Sequence, residues 1–444
     1  MENMCCPGAF APLVEKFLGK RILILGFGRE GSSSFRFLRG VVPEADLSVA
    51  DSNIALSETL SELIPKEKII LGPDYLQSIS QFDVVLQSPG ISLKDVPRIP
   101  EKLWLTSQTD LFLRMFRDQC IGVTGTKGKS TTASLVHHLL LETGHDTLFG
   151  GNIGLPLLDL VPQVGKETIV VLELSCHQLE FVRYSPHVAV LLNLFEEHLD
   201  HYRDFIAYQR AKYNIVRFQR EGDWFVCPDS DSRVEALMEE FPPKSSLCRF
   251  GKRFPSCLEN FPLKGEHNRR NAEAALLAVK AAVPDFPIGS CGGILQRFHS
   301  LPHRLEYVGR VDGIDFYNDS ISTIPQAAIA AVEAIGHVDT LILGGMDRGV
   351  DYTPLLSLMR GSQVRNFLFT GQAGRRMMSM TEPVPGKIFL FFEKYEELVD
   401  AAFRLTARGK VCLLSPAAPS YDAFKNFEER GSVFKKLVLL HSQT

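Results

Sequence analysis

Across its 444 residues the chain has no run approaching the roughly 18 uninterrupted apolar residues of a membrane span. Its first residues, MENMCCPGAF, lack the basic start and long apolar stretch of a signal peptide. These absences lead to the expectation of a cytoplasmic protein with no membrane insertion. An excess of one charge is missing too: 48 Lys and Arg face 52 Asp and Glu, a net charge of -4. General nucleic-acid binders carry a basic face, so no nucleic-acid partner is expected and any positive site must be local. The nine cysteines include no Cys-x-x-Cys pair, and only Cys5 and Cys6 adjoin. Neither a disulfide framework nor a zinc site is indicated, and the thiols read as buried or free in a reducing compartment. Internal repeats and low-complexity tracts are absent as well.

What is present is strand-helix alternation with glycine-rich turns. Hydrophobic residues at 45% and charged residues at 23% suit a globular α/β protein, and the length suggests about three domains. The most informative stretch is Ile121-Gly-Val-Thr-Gly-Thr-Lys-Gly-Lys-Ser-Thr-Thr132. An apolar strand runs into Gly125 and Gly128, then Lys129, Ser130 and Thr131 open a helix. Bare N–H groups and the positive helix end converge there on a phosphate. Lys129 adds a full charge, and Ser130 or Thr131 can ligate magnesium. The loop departs from the usual pattern at Val123, where glycine is standard; a turn that merely packs is the alternative.

An earlier unit, RILILGFGREGSSSFRFLRG, has Gly26-x-Gly28-x-x-Gly31 between strand and helix, and Asp51 ends the next strand. By rule this is a dinucleotide fingerprint with an acid placed for a ribose hydroxyl. DVVLQSPGIS (83–92) adds a buried strand with a small-residue turn at its carboxyl end, where ligands sit in open parallel sheets. In the second unit, TIVVLEL (168–174) carries Glu173. A lone carboxylate in an apolar strand needs a partner, which a metal beside the phosphate loop or a structural salt bridge would supply. Further on, Glu197-His198 lies in an acidic turn and Lys212 on a helix; taken singly, His198 could be a ligand and Lys212 a surface lysine. A third unit opens after SLPHRLEYVG (300–309) with the strands IDFYNDS, DTLILGG and KVCLLSP, again Rossmann-like. Arg304 and Asp319 lie where it begins.

The blocks GTKGKST, ELSCHQLE, NLFEEHLD, Ala211-Lys212, GEHNRRN, HRLE, YNDS, LGGMDRG and SPAAPSYDAFKNFEERG follow in one order along essentially the whole chain. Together they resemble the ATP-dependent Mur ligases of peptidoglycan synthesis, and the last block is most similar to the members that add D-glutamate. The resemblance implies three domains: residues 1–108, Rossmann-like and binding the UDP substrate; 109–300, a central P-loop ATPase-type α/β domain; and 301–444, Rossmann-like and binding the amino acid. It also implies a reaction in which the carboxylate of UDP-N-acetylmuramoyl-L-alanine takes the γ-phosphate of ATP and D-glutamate then displaces phosphate. Such chemistry relies on placed cations and donors.

Carried over by position, Lys129 would hold the β/γ-phosphates, with Gly125, Thr126, Lys127, Gly128, Ser130 and Thr131 around them. Ser130 and Glu173 would ligate one Mg2+, and His198 a second together with carbamylated Lys212. Asn268 would contact adenine, with Arg304 and Asp319 also on ATP, the aspartate at the ribose. For the first unit the resemblance replaces a nicotinamide cofactor with UDP. Gly28 and Gly31 would take the diphosphate, and Asp51, Ser52 and Asn53 would lie by uracil. Ser88, Pro89 and Gly90 would line the pocket, and Asn152 would touch the muramoyl group. Thr323 and Arg348 would take the α-carboxylate of D-glutamate; Ser420 and the backbone at Phe427 would take its side-chain carboxylate. The chain departs from the family at Lys127, Ile321, Arg348 and Cys176-His177. A monomer acting on small molecules is expected. Folylpolyglutamate synthase remains as a related alternative, and a nicotinamide-dependent dehydrogenase as one from another class.

Overall fold

The computed structural model describes residues 13–94, 96, 99–152, 155–196, 201–252, 255–259, 261–263, 265–298 and 302–441. The chain forms two compact units: the described parts of Met1–Pro262 and Glu266–Phe298 build one, and those of Leu263–Gly265 and His299–Thr444 the other. Three parallel-rich sheets run through them.

The first sheet contains β1 (Arg21–Leu25), β2 (Asp46–Asp51), β3 (Ile69–Leu71), β4 (Val84–Gln87) and β5 (Trp104–Ser107) in the order β3-β2-β1-β4-β5. Its pairings are all parallel. Parallel strands are covered on both faces, so they need near-continuous apolar runs, and Ile22, Leu23, Ile24 and Leu25 are fully buried. The chain leaves β1 toward β2 on one side and returns to β4 on the other. The crevice at this reversal lies outside the carboxyl ends of β1 and β4, where Gly26 and Ser88 follow their strands.

The second sheet comprises β6 (Cys120–Thr124), β7 (Thr147–Gly151), β8 (Ile169–Glu173), β9 (Val188–Leu191), β10 (Trp224–Pro228) and β11 (Ser246–Phe250). Its order is β11-β10-β9-β6-β8-β7, so β6 sits centrally between β8 and β9. One hydrophobic core runs from Ile22 and Leu38 through Leu111 and Phe112 to Leu172 and Leu191, and it joins the two sheets. Polar pairs cross the same seam: Arg36 reaches Asp159 at 3.0 Å, and Ser33 Oγ donates to Asp159 at 2.8 Å.

The second unit has its own cores around β12 (Glu306–Val311), β13 (Ile314–Asn318), β14 (Val338–Gly344), β15 (Asn366–Thr370), β16 (Ile388–Phe392) and β17 (Val411–Leu414). The order is β12-β13-β17-β14-β15-β16; β12 and β13 are antiparallel and the rest parallel. Among the described residues no helix is long and apolar enough to cross a membrane. Cys120, Cys176, Cys227, Cys248, Cys257, Cys291 and Cys412 are free thiols.

Candidate active site

The phosphate loop leaves the carboxyl end of β6, and the helix Lys129–Glu142 begins at once. Val123, the departure from the usual pattern, lies within β6 opposite Glu173 of β8, fully buried. The glycine requirement has moved on: Gly125 has φ +153° and Gly128 φ +85°. A Cβ at Gly125 would come within 2.9 Å of Leu192. The loop is braced from β9, since Thr126 N donates to Asn193 O at 2.9 Å. Lys127 N donates to Asn193 Oδ1 at 2.8 Å, and Asn193 Nδ2 returns a bond to Lys127 O at 3.0 Å. Thr126 Oγ1 also lies 2.9 Å from the Tyr208 hydroxyl. No side chain caps the helix at Gly128, so the first-turn N–H groups of Lys129, Ser130 and Thr131 stay available to an anion. Lys129 Nζ rests on the carbonyls of Gly125 and Thr126 at 3.0 and 2.9 Å, over the same turn.

Glu173 ends β8 beside this loop and is 1% exposed. Asn152 Nδ2 donates to its Oε1 at 2.8 Å, while Oε2 is buried with no partner. A buried carboxylate oxygen left in this state is costly, and a cation at the phosphate loop would satisfy it; with the hydroxyl of buried Ser130 in the first turn of the helix that follows that loop, the oxygen donors suit magnesium. Lys212 is buried rather than on the surface. It lies on the helix Phe205–Arg217, with Nζ 2.9 Å from Gly125 O and 4.9 Å from the Tyr208 ring centre. Lys129 and Lys212 thus meet at one carbonyl. His198 lies outside the described residues; among those described, no group of three His, Cys, Asp or Glu side chains is arranged to hold a metal.

Asn268 sits in the first turn of the helix Glu266–Ala282. Its neighbour Asn271 packs so close to Gly128 that a Cβ there would meet the Asn271 amide at 2.5 Å, so this helix abuts the phosphate loop. No motif in the sequence marks Tyr208 as part of the site; Asn193 and Asn271 are hinted at only as the asparagines that open NLFEEHLD and end GEHNRRN.

In the first sheet, Gly26 has φ +87°, and a Cβ on Gly31 would overlap the Gly26 carbonyl. Asp51 accepts from Phe27 N at 2.7 Å and from Asn53 N at 2.8 Å; it shapes the turn that also holds Ser52. Ser88 Oγ donates to Gly26 O at 2.9 Å, which brings the turn Ser88-Pro89-Gly90 against the glycine loop. Gly28 and Gly90 face open space.

In the second unit, Asp319 is buried. It accepts from Ser415 Oγ at 2.8 Å and Leu305 N at 3.2 Å, and burial pushes its carboxyl up to about 6. Arg304 Nε is buried with no partner. Ser320 Oγ donates to Phe427 O at 2.8 Å, tying the turn before Thr323 to the first residue of the helix Phe427–Leu440. Ser420 is 2% exposed and its hydroxyl has no partner. Arg348 stacks 5.9 Å from the ring centre of Tyr421, which draws it toward the Ser420 turn. Arg430 lies within the block SPAAPSYDAFKNFEERG, but nothing in the sequence marks it as buried. Its buried guanidinium donates to Ser320 O at 2.8 Å and Oγ at 3.0 Å, and to Ala418 O at 3.0 Å, while burial lowers its pKa to about 10.

Comparison with known proteins adds an independent line. The Mur ligase middle domain matches residues 123–256. The UDP-N-acetylmuramoylalanine–D-glutamate ligase of Geotalea uraniireducens is 34% identical, over 95% of this chain and 98% of that protein. The ligase of the same name from Desulfitobacterium hafniense is 33% identical, over 95% and 98%. Among solved structures, a MurF ligase from Thermotoga maritima in complex with ADP superposes with a TM-score of 0.54 at 16% identity, covering 94% of this chain and 95% of that one. The UDP-N-acetylmuramate-alanine ligase MurC of the same organism gives 0.52 at 17%, covering 96% and 100%. At such identity these two carry the fold alone. On the full-length likeness to the curated relatives, the chain belongs to the UDP-N-acetylmuramoylalanine–D-glutamate ligases of the Mur ligase family.

Proposed function

We propose that the chain is a cytoplasmic, monomeric enzyme that joins D-glutamate to UDP-N-acetylmuramoyl-L-alanine at the expense of ATP. The observation that carries this reading is the uncapped phosphate loop with Lys129 above it and the orphaned Glu173 oxygen beside it, in a chain of this family. We assign the UDP-sugar to residues 1–108, ATP to 109–300 and the amino acid to 301–444.

Lys129 and the first-turn N–H groups of its helix would take up charge on the phosphoryl oxygens as the substrate carboxylate attacks the γ-phosphorus and ADP leaves. The amine of D-glutamate then attacks the acyl carbon of the acyl phosphate, inorganic phosphate leaves with the C–O bond broken, and the nitrogen gives up a proton as the amide forms. Ser130, Glu173, His198 and Lys212 (the last as its carbamate) would hold two magnesium ions, whose charge would offset that of the transferring group. The carbamate nitrogen keeps one N–H, enough for the Gly125 carbonyl that Lys212 now meets. Asn268 would orient adenine, while Arg304 and Asp319 would serve ATP and its ribose. The partnerless Ser420 hydroxyl and the backbone N–H of Phe427 would receive the side-chain carboxylate of D-glutamate, with Thr323 and Arg348 on its α-carboxylate. Arginine there is a planar fork rather than the point charge of a lysine.

Phosphate release from ATP and UDP-N-acetylmuramoyl-L-alanine, measured with D-glutamate, L-glutamate, glycine, L-alanine or a diamino acid, tests the reading. Release that requires D-glutamate is expected. Equal release with another amino acid, or with a pteroyl substrate in place of the UDP-sugar, would refute it.

A further inference from the structure

The glycine loop after β1 carries an acid where, on the reading above, a diphosphate sits. Glu30 is the second residue of the helix Arg29–Val41. Its Oε1 accepts from Gln178 Nε2 at 2.8 Å, across the seam between the first two sheets. Its Oε2 is buried with no partner. The Glu30 carbonyl accepts from Gln108 Nε2 at 3.1 Å and Ser34 Oγ at 2.9 Å, so the residue is held at both ends by neutral groups. Burial raises its carboxyl above the usual range, only partly offset by Gln178 and Arg29.

The charged groups on neighbouring elements are engaged elsewhere. Asp159 is taken by Ser33 and Arg36, Asp110 by Thr106 and the Arg183 amide, and Asp51 by Phe27 and Asn53. His177, which precedes Gln178, stacks on Tyr202 and meets His201. Among the described residues, Arg29 is the cation whose charge acts to lower the Glu30 carboxyl. An acid in a first helical turn ordinarily gains from the dipole. A bound diphosphate would claim that same field and oppose a second negative charge beside it. One amide bond does not offset the burial of an ionised carboxylate, a charge penalty that the protonated acid escapes.

We propose that Glu30 is a positioning residue of the UDP-sugar site that works as the neutral acid, so that binding the diphosphate takes up one proton at its carboxyl. This rests on the UDP-sugar assignment. The sign follows from linkage: the ligand raises the carboxyl's pKa further, so affinity is highest below the free protein's value. It falls as pH climbs through the window between the free and bound values, and levels above it.

Isothermal titration with UDP-N-acetylmuramoyl-L-alanine tests this between about pH 5.5 and about pH 8.5, a range in which a diphosphate diester does not titrate and a shifted carboxyl can. Two buffers of different ionisation enthalpy report the proton count on the unmodified protein. Affinity should fall about tenfold across the range, the equivalent of one pKa unit, with net proton uptake in the falling region. Glu30→Gln keeps the Gln178 contact, and it should flatten the profile and abolish the uptake. A wild-type profile that is already flat without uptake, or a Glu30→Gln profile with the wild-type slope, would overturn the role of Glu30 and spare the UDP-sugar site. No binding of the UDP-sugar at any pH, with ATP still bound, would overturn both.

Discussion

The loops after β1 and β6 are the same device made twice: a buried central strand, a glycine with positive φ, and a helix whose first turn points at the crevice. They differ in what fills the first turn and in what braces the loop from the side. After β6 the helix opens with Lys129 and Ser130, and Asn193 holds the loop with a reciprocal amide pair. After β1 it opens with Arg29 and Glu30, and the carboxylate of Asp51 fixes the turn. A full cation over uncapped N–H groups suits a triphosphate that must be activated. A backbone cradle with an inward acid suits a diphosphate that is only held. On the proposed assignments, architecture makes the anion site, and two side chains at the start of each helix set whether the anion is held or transferred.

Lys129→Ala strikes hardest at this contrast. Its Nζ rests on loop carbonyls and fills no core, so the thermal midpoint should move by only a few degrees. Turnover should fall at least about a hundredfold, as when one charge-stabilising donor is removed, while the affinity for the UDP-sugar stays near that of the parent. Loss of UDP-sugar binding in parallel would mean that the two loops are not separate sites.

Lys212→Ala should come next. The lysine is buried and meets the phosphate loop at Gly125 O, so activity should drop by about one to two orders of magnitude, as for the loss of a metal-site group. Added formate or acetate should restore part of it if a carbamate oxygen has been lost. Full activity without additive would leave Lys212 a packing residue and weaken the comparison.

Much of this was legible in the sequence because it is local. Apolar runs such as Ile22–Leu25 mark buried parallel strands, and glycines followed by a helix mark the turns. Glu173 could be singled out because an acid in an apolar strand demands a partner. What stayed hidden is long-range. Asn193, Tyr208 and Asn271 matter because β9 and two helices return to the phosphate loop, and no periodicity reports a return. Gln178 and Glu30 lie 148 positions apart. The burial of Lys212 was also invisible, since a helical lysine ordinarily faces water. Val123 departs from the usual glycine without disturbing the loop: the strand runs one residue past it, and Gly125 takes the unusual backbone instead.

Gly31→Ala probes how the first loop is built. A Cβ there would overlap the Gly26 carbonyl and come within 2.9 Å of its carbon, so the helix must back away from β1. Alanine gains about 1 kcal/mol of helix propensity, but a forced backbone shift in a packed seam costs about 1–3 kcal/mol or more. A net loss on the order of 1–2 kcal/mol is expected by denaturant unfolding, with weaker UDP-sugar binding as a consequence. An unchanged midpoint would show that the close approach is not needed for the fold.

Gly28→Ala should have the smallest effect on the fold and the most telling one on the ligand. Gly28 is the N-cap of the helix, with φ -74° and ψ -156°, a conformation open to any L residue. A Cβ there meets nothing within 4 Å. Alanine is a poorer cap than glycine, yet it also reduces the freedom of the unfolded chain. The two tendencies leave stability within about 0.5 kcal/mol of the parent. The open space, however, is the approach to the first-turn N–H groups, and a methyl there would keep a diphosphate from closing on the backbone. The KM for the UDP-sugar should therefore rise several-fold, with the KM for ATP and the thermal midpoint unmoved. Should the UDP-sugar KM stay flat while Gly31→Ala raises it, the diphosphate does not sit at the cap. The first loop would then differ from the second in where its anion lies as well as in its charge.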